Sequence, residues 1–154
     1  MNKDILKKLY KYCSCNEKCK NDIQKYLYNY NLEDEEILNL IKNLEENNFI
    51  NEARYTEAFV NDKLKFNKWG KIKISYELKS KNIDSQTINK YINAIDENKY
   101  SEILISILKT KLKTLNKKDK NMQYLLLLKF GLSRGFEYEI VEKTIKGLII
   151  ILQQ

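Results

Sequence analysis

Three groups of residues in this chain have side chains that could do chemistry. The first is Cys13, Cys15 and Cys19, which could hold a metal as thiolates. Their C-x-C-x3-C spacing lacks a fourth nearby thiolate, and the chain has no histidine. The set therefore matches neither a zinc knuckle nor a common iron–sulfur run. Ordinary reduced thiols are the expectation, with no metal and no cofactor, and an odd cysteine count argues against a secreted disulfide framework. The second group is Glu33, Asp34, Glu35 and Glu36, a potential metal or catalytic cluster. These acids open an apolar-periodic stretch through Ile37, Leu40, Ile41 and Leu44, where carboxylates complement the positive end of a helix dipole, so no chemistry is assigned to them. The third group is Lys63, Lys65, Lys68, Lys71, Lys73, Lys79 and Lys81, opposed between positions 63 and 81 by Glu77 alone. This segment carries a formal charge of about +6, and such a surface attracts an acidic partner.

Nothing else points to catalysis. Without histidine there is no Ser-His-Asp or Cys-His set, no P-loop pattern occurs, and no carboxylate pair can be placed in a pocket. An enzyme is not expected.

The elements that must position these groups read as helices. The 154 residues fit one ordinary domain or several small units, and 43% hydrophobic residues allow a modest core. The chain has no proline and only four glycines, which suits uninterrupted helices and leaves little for tight-turned sheets. Apolar stripes run through Ile5, Leu6, Leu9 and Tyr12, then Ile23, Tyr26, Leu27 and Tyr30, then the stripe behind the acidic run. Asn51 can cap a helix with Tyr55, Phe59 and Phe66 on its apolar side, widened by Ala58, Val60 and Leu64. Asp84 can cap another through Ile88, Tyr91, Ile92 and Ile95. Further stripes include Leu104, Ile107, Leu108, Leu112 and Leu115, then Tyr124, Leu127 and Leu128, and finally Ile140, Val141, Ile145, Leu148, Ile149 and Leu152. After Gly70, the alternation of Ile72, Ile74, Tyr76 and Leu78 looks locally like a strand. It has no convincing strand to pair with and contains helix formers, so a helix is expected there. About nine helices result.

The formal charge of +7 and the pI near 9.1 favour a polyanionic partner: nucleic acid, an acidic protein groove or an anionic surface. No signal-like segment occupies Met1 to Tyr12, and no apolar run approaches the roughly 18 residues of a membrane span. A cytoplasmic protein without membrane association is expected.

An internal repeat orders these helices. Superposing Leu32, Ile83 and Phe136 brings Ile37, Ile88 and Val141 together, then Ile41, Ile92 and Ile145, then Leu44, Ile95 and Leu148. Upstream, Ile23, Ile74 and Leu127 also coincide. The period is that of a three-helix unit. The expected fold is all-α, an elongated array of three tandem three-helix repeats over residues 1–50, 51–98 and 99–154, because each repeat is too short to bury much alone.

With the repeat in view, the chain resembles the RecX family, regulatory proteins of RecA, over nearly its whole length. Phe49-Ile50-Asn51-Glu52-Ala53-Arg54-Tyr55, with Ala58-Phe59-Val60, is similar to the family's acidic turn before an Arg and aromatic pair. Gly70, Ile74, Glu77-Leu78, Lys81 and Ile83 resemble its G-x3-I-x2-E-L-x2-K-G-I pattern. Asn51-Glu52 departs from the more usual Asp pair. Asn82 stands in for the Gly before Ile83, as the non-Gly residue best suited to a left-handed helix stop. The third repeat has Gly131 where the others have Leu27 and Leu78. The resemblance implies a non-catalytic modulator that lies in the groove of the RecA filament on single-stranded DNA and restrains filament growth, ATP hydrolysis and strand exchange.

The residues expected to meet that partner are Arg54, Lys63, Lys65, Lys68, Trp69, Lys71 and Lys73. Reversing the charge of the five lysines is expected to abolish association and spare folding. Trp69 could anchor an interface, stack on a base or pack partly into the core. Arg54 could pair with an acid inside its own module or with the partner. Direct, non-specific binding to single- or double-stranded DNA is the alternative function, with Lys109, Lys111 and Lys113 extending the basic track. The chain has only two arginines, Arg54 and Arg134, which disfavours base-specific reading. A monomer is expected.

Overall fold

The computed structural model describes residues 2–152, with the side chains of 150–152 outside the described residues, Leu152 of the last apolar stripe among them. Nine α-helices and no strand occur among the described residues: α1 Lys3–Cys15, α2 Lys20–Leu27, α3 Asp34–Glu46, α4 Glu52–Lys65, α5 Lys71–Ser80, α6 Ser85–Asn93, α7 Glu97–Lys113, α8 Lys120–Ser133 and α9 Tyr138–Leu152. A short 3-10 turn, Tyr28–Tyr30, follows α2.

Local chemistry sets the boundaries. The Asn2 side chain accepts from the backbone N–H of Asp4 and Ile5, Asn51 from Arg54, Asp96 from Asn98 and Lys99, and Asp119 from Met122. Each satisfies N–H groups that have no carbonyl four residues back. Asp34, Glu35 and Glu36 occupy the exposed first turn of α3, where their charge complements the positive end of the helix dipole.

The repeat is written in the helix stops as well as in the apolar positions. Asn31 (φ 53°), Asn82 (φ 60°) and Gly135 (φ 91°) are left-handed, and each immediately precedes the superposed residue Leu32, Ile83 or Phe136. At two of these stops the hydrogen bonding is the same. Ile83 N–H reaches Leu78 O at 3.2 Å and Asn82 N–H reaches Lys79 O at 3.0 Å; Phe136 N–H reaches Gly131 O at 3.2 Å and Gly135 N–H reaches Leu132 O at 3.0 Å. This double closure requires one left-handed residue. The aligned Ile23, Ile74 and Leu127 are fully buried. Gly131 breaks the leucine pattern because Val141 fills the space: a Cβ at Gly131 would lie 2.7 Å from Val141 Cγ1.

The chain divides into two compact units, residues 1–59 with 78–89 and residues 60–77 with 90–154. In the first, Ile5, Leu9, Cys13, Ile23, Leu27, Leu40, Ile41, Leu44 and Ile50 form the core, with Tyr10 stacked on Phe49 at 4.2 Å. In the second, the core gathers Tyr100, Leu104, Leu108, Leu127, Phe136, Val141, Ile145 and Leu148.

The strand-like stretch after Gly70 is helix α5. Its alternation is two i,i+4 pairs on different sides: Ile74 and Leu78 are fully buried, while Ile72 and Tyr76 face outward, 57% and 70% exposed. Phe66, expected on the apolar side of its helix, is instead 70% exposed, because α4 ends at Lys65 and the chain turns before Phe66 can reach the core.

No described helix is long and apolar enough to cross a membrane.

Candidate partner-binding surface

The lysine-rich segment is positioned by the α4–α5 turn. Lys68 takes a left-handed conformation, φ 55°, and Trp69 N–H closes back onto Lys63 O at 3.0 Å. The indole that follows is half-buried and carries two ammonium groups, Lys63 Nζ at 4.9 Å and Lys73 Nζ at 4.5 Å from the ring centroid. Electrostatic attraction to the ring face favours both placements.

The first turn of α5 is anchored within the second unit by the stop between α8 and α9. Gly70 N–H donates to Arg134 O at 2.7 Å, Lys71 N–H to the Tyr100 hydroxyl at 2.9 Å and Ile72 N–H to Gly135 O at 3.0 Å. Three consecutive N–H groups that an isolated helix would leave unpaired are thus satisfied. The Tyr100 hydroxyl in turn donates to Glu137, and burial, reinforced by that carboxylate, pushes its pKa far above the usual tyrosine value. Arg134 Nη2 donates to Asn67 O from the other side of the turn.

This anchoring sorts the predicted residues. The Lys71 side chain, 17% exposed, pairs with Glu97 at 2.6 Å and lies 4.7 Å from the Tyr100 ring centroid. Lys65 and Lys68 stand at the turn, Lys65 Nζ lying 5.2 Å from the Phe66 ring centroid. The structure therefore gathers Lys63, Lys65, Lys68, Trp69, Lys71 and Lys73 around one helix turn, with Lys71 committed to internal contacts. Arg54 lies in the first unit. Its Nε donates to Glu17 Oε1 at 2.6 Å, and Nη2 to the carbonyls of Asn48 at 3.0 Å and Phe49 at 3.5 Å. The pairing acid sits before α2 and outside residues 51–98.

The sequence reading missed a set of groups at the N-terminus of α2. Cys19 is its N-cap, fully buried, and its N–H donates to Asp22 Oδ2 at 3.1 Å. Glu52 Oε2 is buried without a hydrogen-bond partner, and burial raises the pKa of this carboxyl against the opposing influence of Lys20. Lys81 Nζ approaches Asp22 at 3.4 Å and the Tyr55 ring centroid at 6.0 Å. The sequence signal was the acid at position 52 within the block that carries the family resemblance. Cys13 packs in the core and Cys15 is exposed; among the described residues no group of three or more His, Cys, Asp or Glu side chains is arranged to hold a metal.

The fold and this surface define a helical-repeat protein built on three-helix units with an externally facing basic turn. Residues 51–92 match the family described as RecX, second three-helix domain. The chain is 30% identical over 143 residues to "Regulatory protein RecX" of Streptococcus agalactiae serotype V, covering 90% of this chain and 53% of the relative. It is 32% identical over 108 residues to the protein of the same name from Clostridium tetani, covering 69% and 49%. The chain thus spans about half the length of these relatives. Its fold matches the crystal structure of RecX from Lactobacillus salivarius with a TM-score of 0.82 at 18% identity, over 96% of this chain and 98% of that one. Over 90% of its length the chain is thus similar to proteins of the RecX family, whose second three-helix domain residues 51–92 match.

Proposed function

We propose that this protein is a non-catalytic regulator of RecA: it binds the RecA filament on single-stranded DNA and restrains filament growth, ATP hydrolysis and strand exchange in recombination and repair. The observation that carries this reading is the likeness, over 90% of the chain, to a protein named for regulation. Three modules, at residues 1–50, 51–98 and 99–154, would span neighbouring filament subunits in the cytoplasm. The basic turn around Trp69 supports the reading by supplying cations for acidic filament surfaces or phosphates. Arg54 contributes by tying the start of residues 51–98 to residues 1–50 through Glu17 and the carbonyls of Asn48 and Phe49.

Exposed Lys109 and Lys113 on α7 favour a second reading, a non-specific DNA-binding helical module without RecA specificity. Co-sedimentation of the purified protein with RecA alone, with single-stranded DNA alone and with the assembled filament separates the two. Preferential pelleting with the filament is expected. Equal affinity for naked single-stranded DNA and filament would select the second reading.

A further inference from the structure

Ile72 and Tyr76 lie one turn apart on the outer side of α5, and Lys73 shares their sweep, three residues before Tyr76. The stem of Lys73 is held in place: its Cβ sits so close to Gly135 that a Cβ built there would lie 2.3 Å from it. Its ammonium rests on Trp69. At the preceding turn the Lys65 ammonium covers exposed Phe66. Among the described residues no carboxylate comes within ion-pair distance of Lys65, Lys68 or Lys73. Single exposed apolar side chains are ordinary. Here three large ones are interleaved with cations whose counter-charge is not supplied locally.

A phosphate backbone would use the ammonium groups but gain little from Ile72, which offers no flat face for a base. Trp69, the chain's single tryptophan, already carries two ammonium groups, which compete with a base for its ring. A polypeptide with both carboxylates and large aliphatic side chains satisfies every group present, because its acids meet the lysines while its apolar residues cover Ile72, Tyr76 and Phe66.

We propose that Lys65, Phe66, Lys68, Ile72, Lys73 and Tyr76 form a docking surface for an acidic amphipathic polypeptide segment, in which large apolar residues are interspersed with carboxylates. The inference rests on the filament reading only for the partner's identity; it deepens that reading by naming the partner's chemistry.

Three synthetic probes of equal net charge test it: a helical peptide built of Glu and Leu, a poly-Glu peptide and an oligothymidine. Emission of Trp69 and anisotropy of the labelled probe are the readouts. The Glu/Leu peptide should bind at least about tenfold more tightly than either other probe, the gain expected from covering roughly one apolar side chain. The double variant Ile72→Ser, Tyr76→Ser should lose that tenfold and keep wild-type affinity for poly-Glu. Both positions are exposed, so its far-UV circular dichroism should match wild type. Oligothymidine or poly-Glu binding wild type as tightly as the Glu/Leu peptide would overturn the proposal, as would a folded double variant that keeps the preference. Wild type that pellets with the filament yet shows no peptide preference sinks this inference alone. Peptide preference without filament pelleting sinks the filament reading alone.

Discussion

Gly70 and Gly135 meet backbone to backbone: a Cβ on Gly70 would lie 2.3 Å from Gly135 O, the atom that accepts the Ile72 N–H at 3.0 Å. No side chain is available to yield. Gly70→Ala should therefore force the first turn of α5 off the α8–α9 stop and cost about 2 kcal/mol or more, the range of overpacked interiors. Gly147→Ala is the contrast, since a Cβ there meets nothing within 4 Å and a helical Gly gains up to about 1 kcal/mol on replacement by Ala. Urea unfolding of the two variants should move in opposite directions.

Tyr100→Phe removes the hydroxyl that accepts from Lys71 N–H and donates to Glu137, while keeping the ring against Phe136, 5.0 Å between centroids. A buried N–H and a carboxylate lose their partner together. A loss of about 1–3 kcal/mol is expected, and hydrogen exchange at Lys71 should accelerate beyond the global change.

Glu52 gives a pH dependence of definite sign. Burial is the leading cause of its raised pKa, with nearby Glu45 and Asp22 adding to it against the opposing Lys20 contacts. A carboxyl whose folded pKa lies above its unfolded value binds more protons in the folded state. Its contribution to stability is present below the unfolded value and is lost as pH rises through the folded one. Glu52→Gln keeps the size of the side chain and removes the charge. Across the window between the ordinary glutamate value and the higher folded one, the variant should lack this fall in stability, measured by urea unfolding at a series of pH values.

Charge reversal should spare the fold at Lys65, Lys68 and Lys73 but not at Lys71. The first three have no ion-pair partner among the described residues, and the triple variant to Glu should keep its melting temperature within a few degrees while filament binding falls at least about tenfold and wild-type binding weakens steeply with salt. Lys71→Glu would set a carboxylate beside Glu97, at a site where the lysine side chain is 17% exposed. It should lower the melting temperature, so a quintuple reversal confounds binding with folding.

The sequence carried most of the fold because the apolar positions repeat with the helix stops. Asn82 is legible in the sequence as a left-handed stop, since few residues tolerate that backbone. The alternation after Gly70 resolved correctly to helix only from its neighbours, because Ile72 and Tyr76 are apolar residues that face outward and spoil the helical pattern. Phe66 was misplaced because spacing alone does not say where α4 ends. The site was legible in charge and not in contacts: Lys71 and Lys73 look alike in the sequence, and only tertiary structure commits one to Glu97 and lays the other over Trp69. Arg54 was open between partner and internal acid, and Glu17, 37 residues away, could not be picked out by local reasoning.

All three cysteines lie in residues 1–59, and they differ in accessibility: Cys15 is exposed, while Cys13 and Cys19 are buried with thiols held protonated by burial. A thiol reagent at neutral pH will consume Cys15 at once and the other two only when the packing around α1 and α2 opens. Alkylation kinetics under native conditions therefore clock the opening of the first unit alone, because the second contributes no sulfhydryl to the signal.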